Sequence, residues 1–564
     1  MAINPRVCLY LDGSQANETA MTYLCAVGGY DVYKLDLPFD KAGLYWYHFL
    51  IEKVDGSMFT IPEYAGGGFQ ITAYEPDKAR PDWIRGGVIY HVFVDRFKNG
   101  TGEKFTPGTM QRTDWGGCPY FLPDERGIVR NNDFFGGDLY GVIEKLPYLE
   151  ELCVTCIYLS PIFQADSNHK YDTGDYLKVD AAFGGDEALE TLCKMAGERG
   201  IKVILDGVFN HVGSDSLYFN RYGKYDSIGA YQDVHSPYRD WFTFRDDGTY
   251  EAWWGIELLP AINKQNTRFR NFLCDGDGVI AHWMKKGVSG WRLDVVDELP
   301  DVLLDPLCSA IKRENENAFI VGEVWEDASH KIAYSVRRRY FLGGQLDSVT
   351  NYPMKNAIIA CVKDGDVDAL ASVMSSLCRN YPKHVLDSLM NILGTHDTMR
   401  ILSALSGVHF PEGKLAMSHF KLSEDERSTA KKRLKLASAL QFTLPGVPCV
   451  YYGDEAGMEG GIDPFNRICY PWGDEDTELI AWYKGLSKIR KKYSCFIDGK
   501  YTLIEARAGL FAFTRSNAET CILVAVNVSD TDKTVNAPEF KLDLLKGERT
   551  DAVVVKPGEV GIFH

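Results

Sequence analysis

GWRLDVVDE, residues 290–298, sets charges inside what otherwise reads as a buried strand. Side chains alternate faces along a strand, so Arg292 and Asp294 share one face while Trp291, Leu293 and Val295 share the other. A core strand that aims a cation and an anion the same way needs a reason. Working outward, seven more segments read as apolar strands: VIYHVFV (88–94), TCIYLSP (155–161), KVILDGVF (202–209), FIVGEVW (319–325), QLDSV (345–349), LMNILGTHD (389–397) and PCVYYGDE (448–455). Helical patterns separate most of them, among them LYGVIEKLPYLEEL, DEALETLCKMAGER, FRNFLCDGDGVIAHWMKK and RSTAKKRLKLASALQF. Eight buried strands alternating with amphipathic helices predict an α/β fold, a parallel (β/α)8 TIM barrel, over residues 83–490. The third strand-to-helix connection, about 210–265, is too long for an ordinary loop. It is rich in Tyr, Trp and Phe and reads as an inserted subdomain beside the barrel mouth.

The flanks follow a different rule. Residues 1–82 hold short strands such as VCLYLDG, YWYHFLIEK and FQITAYE without helical periodicity. They predict a small β-sandwich that ends in a linker containing Glu75, Pro76, Asp77, Lys78, Pro81 and Asp82. Residues 491–564 return to alternation in YTLIEAR, LFAFTR and CILVAVNV, which predicts a second β-sandwich.

Bulk composition narrows the function. The chain has 564 residues, 45% hydrophobic and 25% charged, which suits a large globular core. A formal charge of −17 disfavours nucleic-acid binding, which needs a basic footprint. No basic segment leads into an apolar signal stretch, and no apolar run is long enough to span a membrane. Fourteen cysteines without a framework suit reduced thiols, and a cytoplasmic location is expected. Cys153 and Cys156 form a lone CxxC in an apolar segment, where buried small side chains fit better than a zinc or redox pair.

Five strands share an anomaly: each turns polar at its carboxyl end. Asp206, Asn210 and His211 follow the third, Arg292 and Asp294 lie on the fourth, and Glu323 ends the fifth. His396 and Asp397 end the seventh, and Asp454 and Glu455 the eighth. In a parallel barrel these ends meet at the face where chemistry is done. Any one carboxylate there reads as a solvated loop residue, but so many on one rim would repel one another unless used. A metal-dependent hydrolase would want a His-x-His on an early strand, and the first strand offers only His91. Retaining glycoside hydrolysis needs two carboxyls about 5–5.5 Å apart. Adjacent barrel strands lie about 4.8 Å apart, so Asp294 and Glu323 fit that chemistry. Arg292 would keep Asp294 ionised for attack, while an apolar strand and negative neighbours would keep Glu323 protonated. Asp397 would brace the charged transition state, and His211 and His396 would donate to sugar hydroxyls.

At these residues the sequence resembles the α-amylase superfamily, glycoside hydrolase family 13, over nearly its whole length. DGVFNH (206–211), GWRLD (290–294), GEVW (322–325) and GTHD (394–397) are similar to the family's four signature segments in order and spacing. LPAIN (259–263), SNHKYDTGDY (167–176) and VYYGDEAGMEGGIDPFNR (450–467) resemble further segments of its neopullulanase and cyclomaltodextrinase branch. The resemblance implies Asp294 as nucleophile, Glu323 as acid/base and Asp397 as transition-state stabiliser. It also implies Tyr171, His211, Arg292 and His396 at the cleaved-bond subsite, with His169 nearby and Asp463 and Arg467 on outer glucose units. Asp206 is expected to be structural. Where many α-amylases carry Lys-His after the nucleophile, this chain has Asp297 and Glu298, closer to the Asn-Glu of neopullulanase-like members. Glu298 is therefore counted among the substrate-binding residues. The N-terminal region resembles that branch's starch-binding-type domain but is shorter.

The implied activity is hydrolysis of α-1,4 bonds in maltooligosaccharides, starch fragments, pullulan or cyclodextrins. Transglycosylation and a non-catalytic carbohydrate-binding relative are the alternatives. The implied partner is an α-glucan, with neither nucleic acid nor membrane, and the protein would be a monomer or homodimer. No metal site is assigned and no cofactor is required. Calcium needs six to eight oxygens, and FKNGTGEKF (97–105) offers few, leaving Asn99 and Asp138 as remnants of such a site and Ca2+ unsupported. Tyr250, Trp253, Trp254 and Trp325 are candidates to stack on glucose rings, or else to fill the insert's own core.

Overall fold

Eight short segments pair side by side in parallel: β1 (Ile89–Val92), β2 (Cys156–Leu159), β3 (Lys202–Gly207), β4 (Gly290–Leu293), β5 (Phe319–Gly322), β6 (Ser348–Val349), β7 (Met390–Ile392) and β8 (Val447–Tyr451). Their order around the sheet is β6-β5-β4-β3-β2-β1-β8-β7. A parallel bridge from Thr350 to Met390 joins β6 to β7 and closes the ring. The expected barrel is present, with helices between its strands. This computed structural model describes residues 2–12, 14, 17–62, 68–76, 80–102 and 109–564. Asp77 and Lys78 of the expected linker, and residues 103–105 of FKNGTGEKF, lie outside the described residues.

Strand alternation sorts the core into two layers. Outward residues such as Val92, Ile157, Leu159, Val203, Leu205, Trp291, Leu293 and Ile320 pack under the helices. Inward residues Ile89, Cys156, Tyr158, Ile204, Phe319, Val321, Met390, Ile392, Val447 and Cys449 fill the barrel itself. Burial on both faces explains why these strands read as unbroken apolar runs. It also places Cys156 of the CxxC inside the barrel, and all fourteen cysteines are free thiols.

The helices follow their own signals. Glu424–Thr443 opens with a capping box, in which Ser423 accepts from the Glu426 N–H while the Glu426 side chain accepts from the Ser423 N–H. FRNFLCDGDGVIAHWMKK, expected as one helical pattern, is two helices: Thr267–Cys274, capped by Asn266, and Val279–Lys285. Asp275 is extended, and the Asp-Gly-Asp-Gly run between them carries the chain around a corner.

The segment after β3 folds over itself through the bridges His211↔Ala261, Phe242↔Ile262, Phe244↔Tyr250 and Ala252↔Pro260. Its small core is aromatic: Phe219 lies 4.9 Å from Phe242 and 4.7 Å from Tyr250, centroid to centroid. Before the barrel, five antiparallel strands form one sheet and Thr22–Val27 pairs with Tyr30–Lys34 as a separate hairpin. That sheet rests on the barrel, where the Thr72 hydroxyl donates to the Asn380 carbonyl at 2.8 Å and Arg337 pairs with Asp12 at 2.9 Å. After the barrel, a six-stranded and a two-stranded sheet enclose a core that includes Leu510, Leu523, Val535, Val553 and Phe563.

Candidate active site

The inward column of each strand changes character as it climbs. On β3 it runs from Ile204 to Asp206, on β4 from Gly290 to Arg292, and on β5 from Phe319 through Val321 to Glu323. Gly290 packs against the β5 backbone, since a Cβ there would come within 2.2 Å of the Phe319 carbonyl oxygen. The pairs Arg292↔Val321 and Leu293↔Gly322 set the register, so Asp294 emerges beside Glu323. The charges in GWRLDVVDE therefore face the barrel's polar end.

Arg292 is the hub. Its Nη1 donates to Asp206 Oδ1 at 2.7 Å and to Asp294 Oδ1 at 2.9 Å, and its Nη2 lies 2.7 Å from Glu323 Oε2. One guanidinium thus ties three carboxyls from three adjacent strands. Tyr158 and Tyr171 hydroxyls donate to Asp206 Oδ2 at 2.5 and 3.0 Å, which fits Asp206 as a structural member of the site. Glu323 also accepts the Val295 N–H at 2.9 Å and the Trp325 indole N–H at 3.1 Å. Val295 has φ +37°, a left-handed conformation that strains a β-branched residue. Asn210 braces this turn by donating to the Asp294 carbonyl at 2.8 Å.

The opposite wall comes from the loop after β2 and from β7 and β8. Tyr171 stacks on His396 with centroids 5.1 Å apart and planes 11° apart, and its hydroxyl shares a 2.5 Å hydrogen bond with His396 Nε2. That nitrogen is also 3.1 Å from Asp397 Oδ2. Arg467 donates to the His396 carbonyl at 2.9 Å, pairs with Asp463 at 2.9 Å, and lies 3.6 Å from Asp397. His211 Nε2 bonds the Tyr171 carbonyl at 3.1 Å. His169 bonds Ser167 at 3.0 Å beside Tyr171. The structure therefore brings together Asp294, Glu323, Asp397, Arg292, Tyr171, His211, His396 and Arg467, with His169 and Asp463 on the margin.

Burial dominates the electrostatics. It pushes the Asp294 carboxyl well above the ordinary carboxylate range; Arg292 pulls it back, while Glu323, Asp206 and Asp397 push it further up. Arg292 lowers the Asp294 carboxyl in the expected direction, and three carboxyls share that cation. Asp397 is pushed up to about 7 by burial and then by Glu323, against Arg467 and Arg292. Burial drives His211 down to about 3 and His169 to about 4, and carries His396 well below its usual value. These imidazoles are neutral at pH 7 and act as hydrogen-bonding groups.

Several strand-end residues do not join the site. Asp454 and Glu455 turn outward: Asp454 meets Arg400 at 3.3 Å, and Glu455 accepts from the Tyr90 and Tyr148 hydroxyls at 2.6 and 2.8 Å. Asp297 turns to Tyr340 at 2.6 Å and Lys331 at 3.2 Å. Glu298 lies at the rim, but its two oxygens already accept the Trp253 and Trp254 indole N–H groups, each at 2.8 Å. Tyr250 belongs to the insert's core, whereas Trp254 and Trp325 are exposed at 71% and 47%. Asp138 caps the helix Leu139–Glu144 through the Gly141 N–H and also accepts from Gly100 and Thr101, while Asn99 closes a turn onto Gly102. Among the described residues, no group of three or more His, Cys, Asp or Glu side chains gathers in a way that would hold a metal ion. Two wall residues escaped the sequence reading as site members. Tyr158 holds Asp206, and buried His91 stacks on Tyr158 at 4.2 Å and meets His396 edge-on at 5.3 Å. Their signal was there: both are polar at inward positions of β1 and β2.

A parallel barrel with carboxyls and a shared cation at the carboxyl ends of its strands is the arrangement of a barrel enzyme, and comparison with known proteins gives the family. The α-amylase catalytic-domain model matches residues 91–488, and the chain belongs to the α-amylase family. It is 34% identical over 600 residues to an amylopullulanase of Thermoanaerobacterium saccharolyticum, covering 93% of this chain and 46% of that one. It spans less than half the length of this and two further amylopullulanases that it matches. Neopullulanase 2 of Thermoactinomyces vulgaris is 34% identical over 83% of this chain and 74% of its own. Among solved structures, cyclic alpha-maltosyl-(1→6)-maltose hydrolase from Arthrobacter globiformis superposes with a TM-score of 0.71 at 28% identity, covering 86% of this chain and 99% of that one.

Proposed function

We propose that the protein is a retaining glycoside hydrolase that cleaves α-1,4-glucosidic bonds in maltooligosaccharides, starch fragments, pullulan or cyclodextrins. The observation that carries this reading is the single Arg292 guanidinium joining Asp294 and Glu323 on adjacent strands, with Asp397 across the mouth. Asp294 attacks the anomeric carbon and forms a covalent glycosyl-enzyme, while Glu323 gives its proton to the departing glycosidic oxygen. Water then enters, Glu323 takes its proton, and the resulting hydroxide displaces Asp294 with a second inversion. Burial and mutual repulsion push Asp294 and Asp397 upward together, so this cluster holds protons more tightly than separated carboxylates would. As substrate displaces water, Arg292 and the neutral His211 and His396 remain as oriented donors around the sugar. Similarity to a neopullulanase and to a cyclic maltosyl-maltose hydrolase supports sugars of this kind as substrates.

A cytoplasmic location is part of the proposal, supported by fourteen unpaired cysteines, eight of them buried. Asp294→Asn and Glu323→Gln should each reduce turnover of maltotriose by about 10³-fold or more, with the far-ultraviolet circular dichroism retained. Near wild-type turnover in either variant would overturn the assignment.

A further inference from the structure

The insert presents a feature that packing does not explain. Trp254 is 71% exposed, yet its backbone is held at φ +49°, a conformation that costs a bulky residue energy. Its indole lies parallel to that of Trp253, with centroids 4.4 Å and planes 12° apart. Trp253 in turn sits 4.7 Å from His211, a wall of the candidate site. The three rings form a staircase that leads out of the site into solvent. Glu298 holds the upper two steps, one carboxylate oxygen for each indole N–H, and the Tyr334 phenol also lies against it. Tyr334 is itself 70% exposed at φ +51°.

With its N–H satisfied, Trp254 offers solvent only its π face. A flat apolar face of that kind suits the C–H face of a pyranose ring, and a strained, exposed indole is otherwise a liability. Trp325 repeats the pattern on the other side of the mouth: its N–H is on Glu323 and its ring is stacked on Tyr352 at 4.1 Å. We infer that Trp254 is a stacking platform for a glucosyl unit beyond the cleaved bond, and that Glu298 is the positioning residue that holds it there rather than a sugar ligand. This rests on the α-glucan reading and adds to it a determinant of chain-length preference.

The test compares wild type, Trp254→Ala, Glu298→Ala and Glu298→Gln on maltotriose and maltoheptaose. Trp254→Ala should lower the maltoheptaose-to-maltotriose ratio of kcat/KM about tenfold, chiefly through KM. Glu298→Ala should lower the same ratio and also weaken the exciton couplet of the stacked indoles in the far-ultraviolet circular dichroism. Glu298→Gln, which keeps one acceptor oxygen, should fall between. An unchanged ratio in Trp254→Ala overturns the platform while leaving the hydrolase reading intact. A lowered ratio with the couplet intact in Glu298→Ala overturns its positioning role and makes it a direct sugar contact. If wild type turns over neither sugar, the hydrolase reading fails. Tryptophan fluorescence titrated with maltoheptaose then decides for the platform if Trp254→Ala loses the response, and against it if the response stays.

Discussion

Two clusters of buried acid stand at the carboxyl ends of this barrel's strands. One gathers Asp206, Asp294 and Glu323 around Arg292, with Asp397 facing them. The other sets Asp454 on Arg400 and Glu455 among Tyr90, Tyr148 and the Gly453 N–H. Burial pushes carboxyls upward in both: Asp397 to about 7 in the first and Asp454 to about 7 in the second. A perturbed carboxyl therefore does not distinguish them. What does is access. In the first cluster Asp397 is about a third exposed, at 32%, and opens to the mouth. In the second, Arg400 is fully buried, and Tyr470 and Trp472 close over Glu455's partners with rings 4.0 Å apart. The first cluster reaches solvent through Asp397, whereas the second is enclosed, to the point that Arg400 Nε and Nη2 are buried without a hydrogen-bond partner.

That contrast can be broken by mutation. Asp397→Asn should cost about 10²–10³-fold in kcat, because the charge that braces the transition state is lost while the fold keeps its shape. Asp454→Asn and Glu455→Gln should do the reverse. Each leaves a buried partner short of an acceptor or with a mismatched one and lowers unfolding stability by about 1–3 kcal/mol, yet kcat should stay within twofold. Denaturant unfolding and maltotriose kinetics on the same preparations separate the two outcomes. A large kcat loss in Asp454→Asn would place that cluster in the chemistry after all.

The smallest expected effect is in the pH profile. Asp397 is raised to about 7 and must be ionised to brace the transition state, so kcat/KM should climb with pH through an acidic limb near pH 7. Removing the negative charge of Asp397 makes its neighbours easier to ionise, so the limb should move to lower pH in Asp397→Asn. In Asp454→Asn it should not move. A limb that shifts equally in both variants would dissolve the distinction between the clusters.

The sequence carried the barrel because a strand buried on both faces leaves a plain apolar mark, and all eight such segments are strands in parallel order. It carried the candidate site because alternation persists to the strand ends on β3, β4 and β5, so Asp206, Arg292, Asp294 and Glu323 face inward together. It misled where the chain had left the strand. Asp454 and Glu455 follow the last residue of β8 by three and four positions, in a turn where period two no longer tells inside from outside. Sharing was also invisible: that Arg292 serves three carboxyls is set by inter-strand register, not by its own segment. The hold of Glu298 on Trp253 and Trp254 was illegible, because nothing in its neighbourhood names residues 45 and 44 positions away as its partners. The break within 267–285 was written in its two Asp-Gly pairs but outweighed by the apolar periodicity on either side.

The central claim is that the Arg292-held pair divides its labour, Asp294 bonding to sugar and Glu323 moving the proton. A 5-fluoro α-glucosyl fluoride carries a leaving group that departs without protonation, so the Glu323→Gln variant should accumulate the glycosyl-enzyme. Peptide mass mapping of that trapped protein should find the added sugar on Asp294. An adduct on Asp206, Asp397 or any other residue would contradict the account.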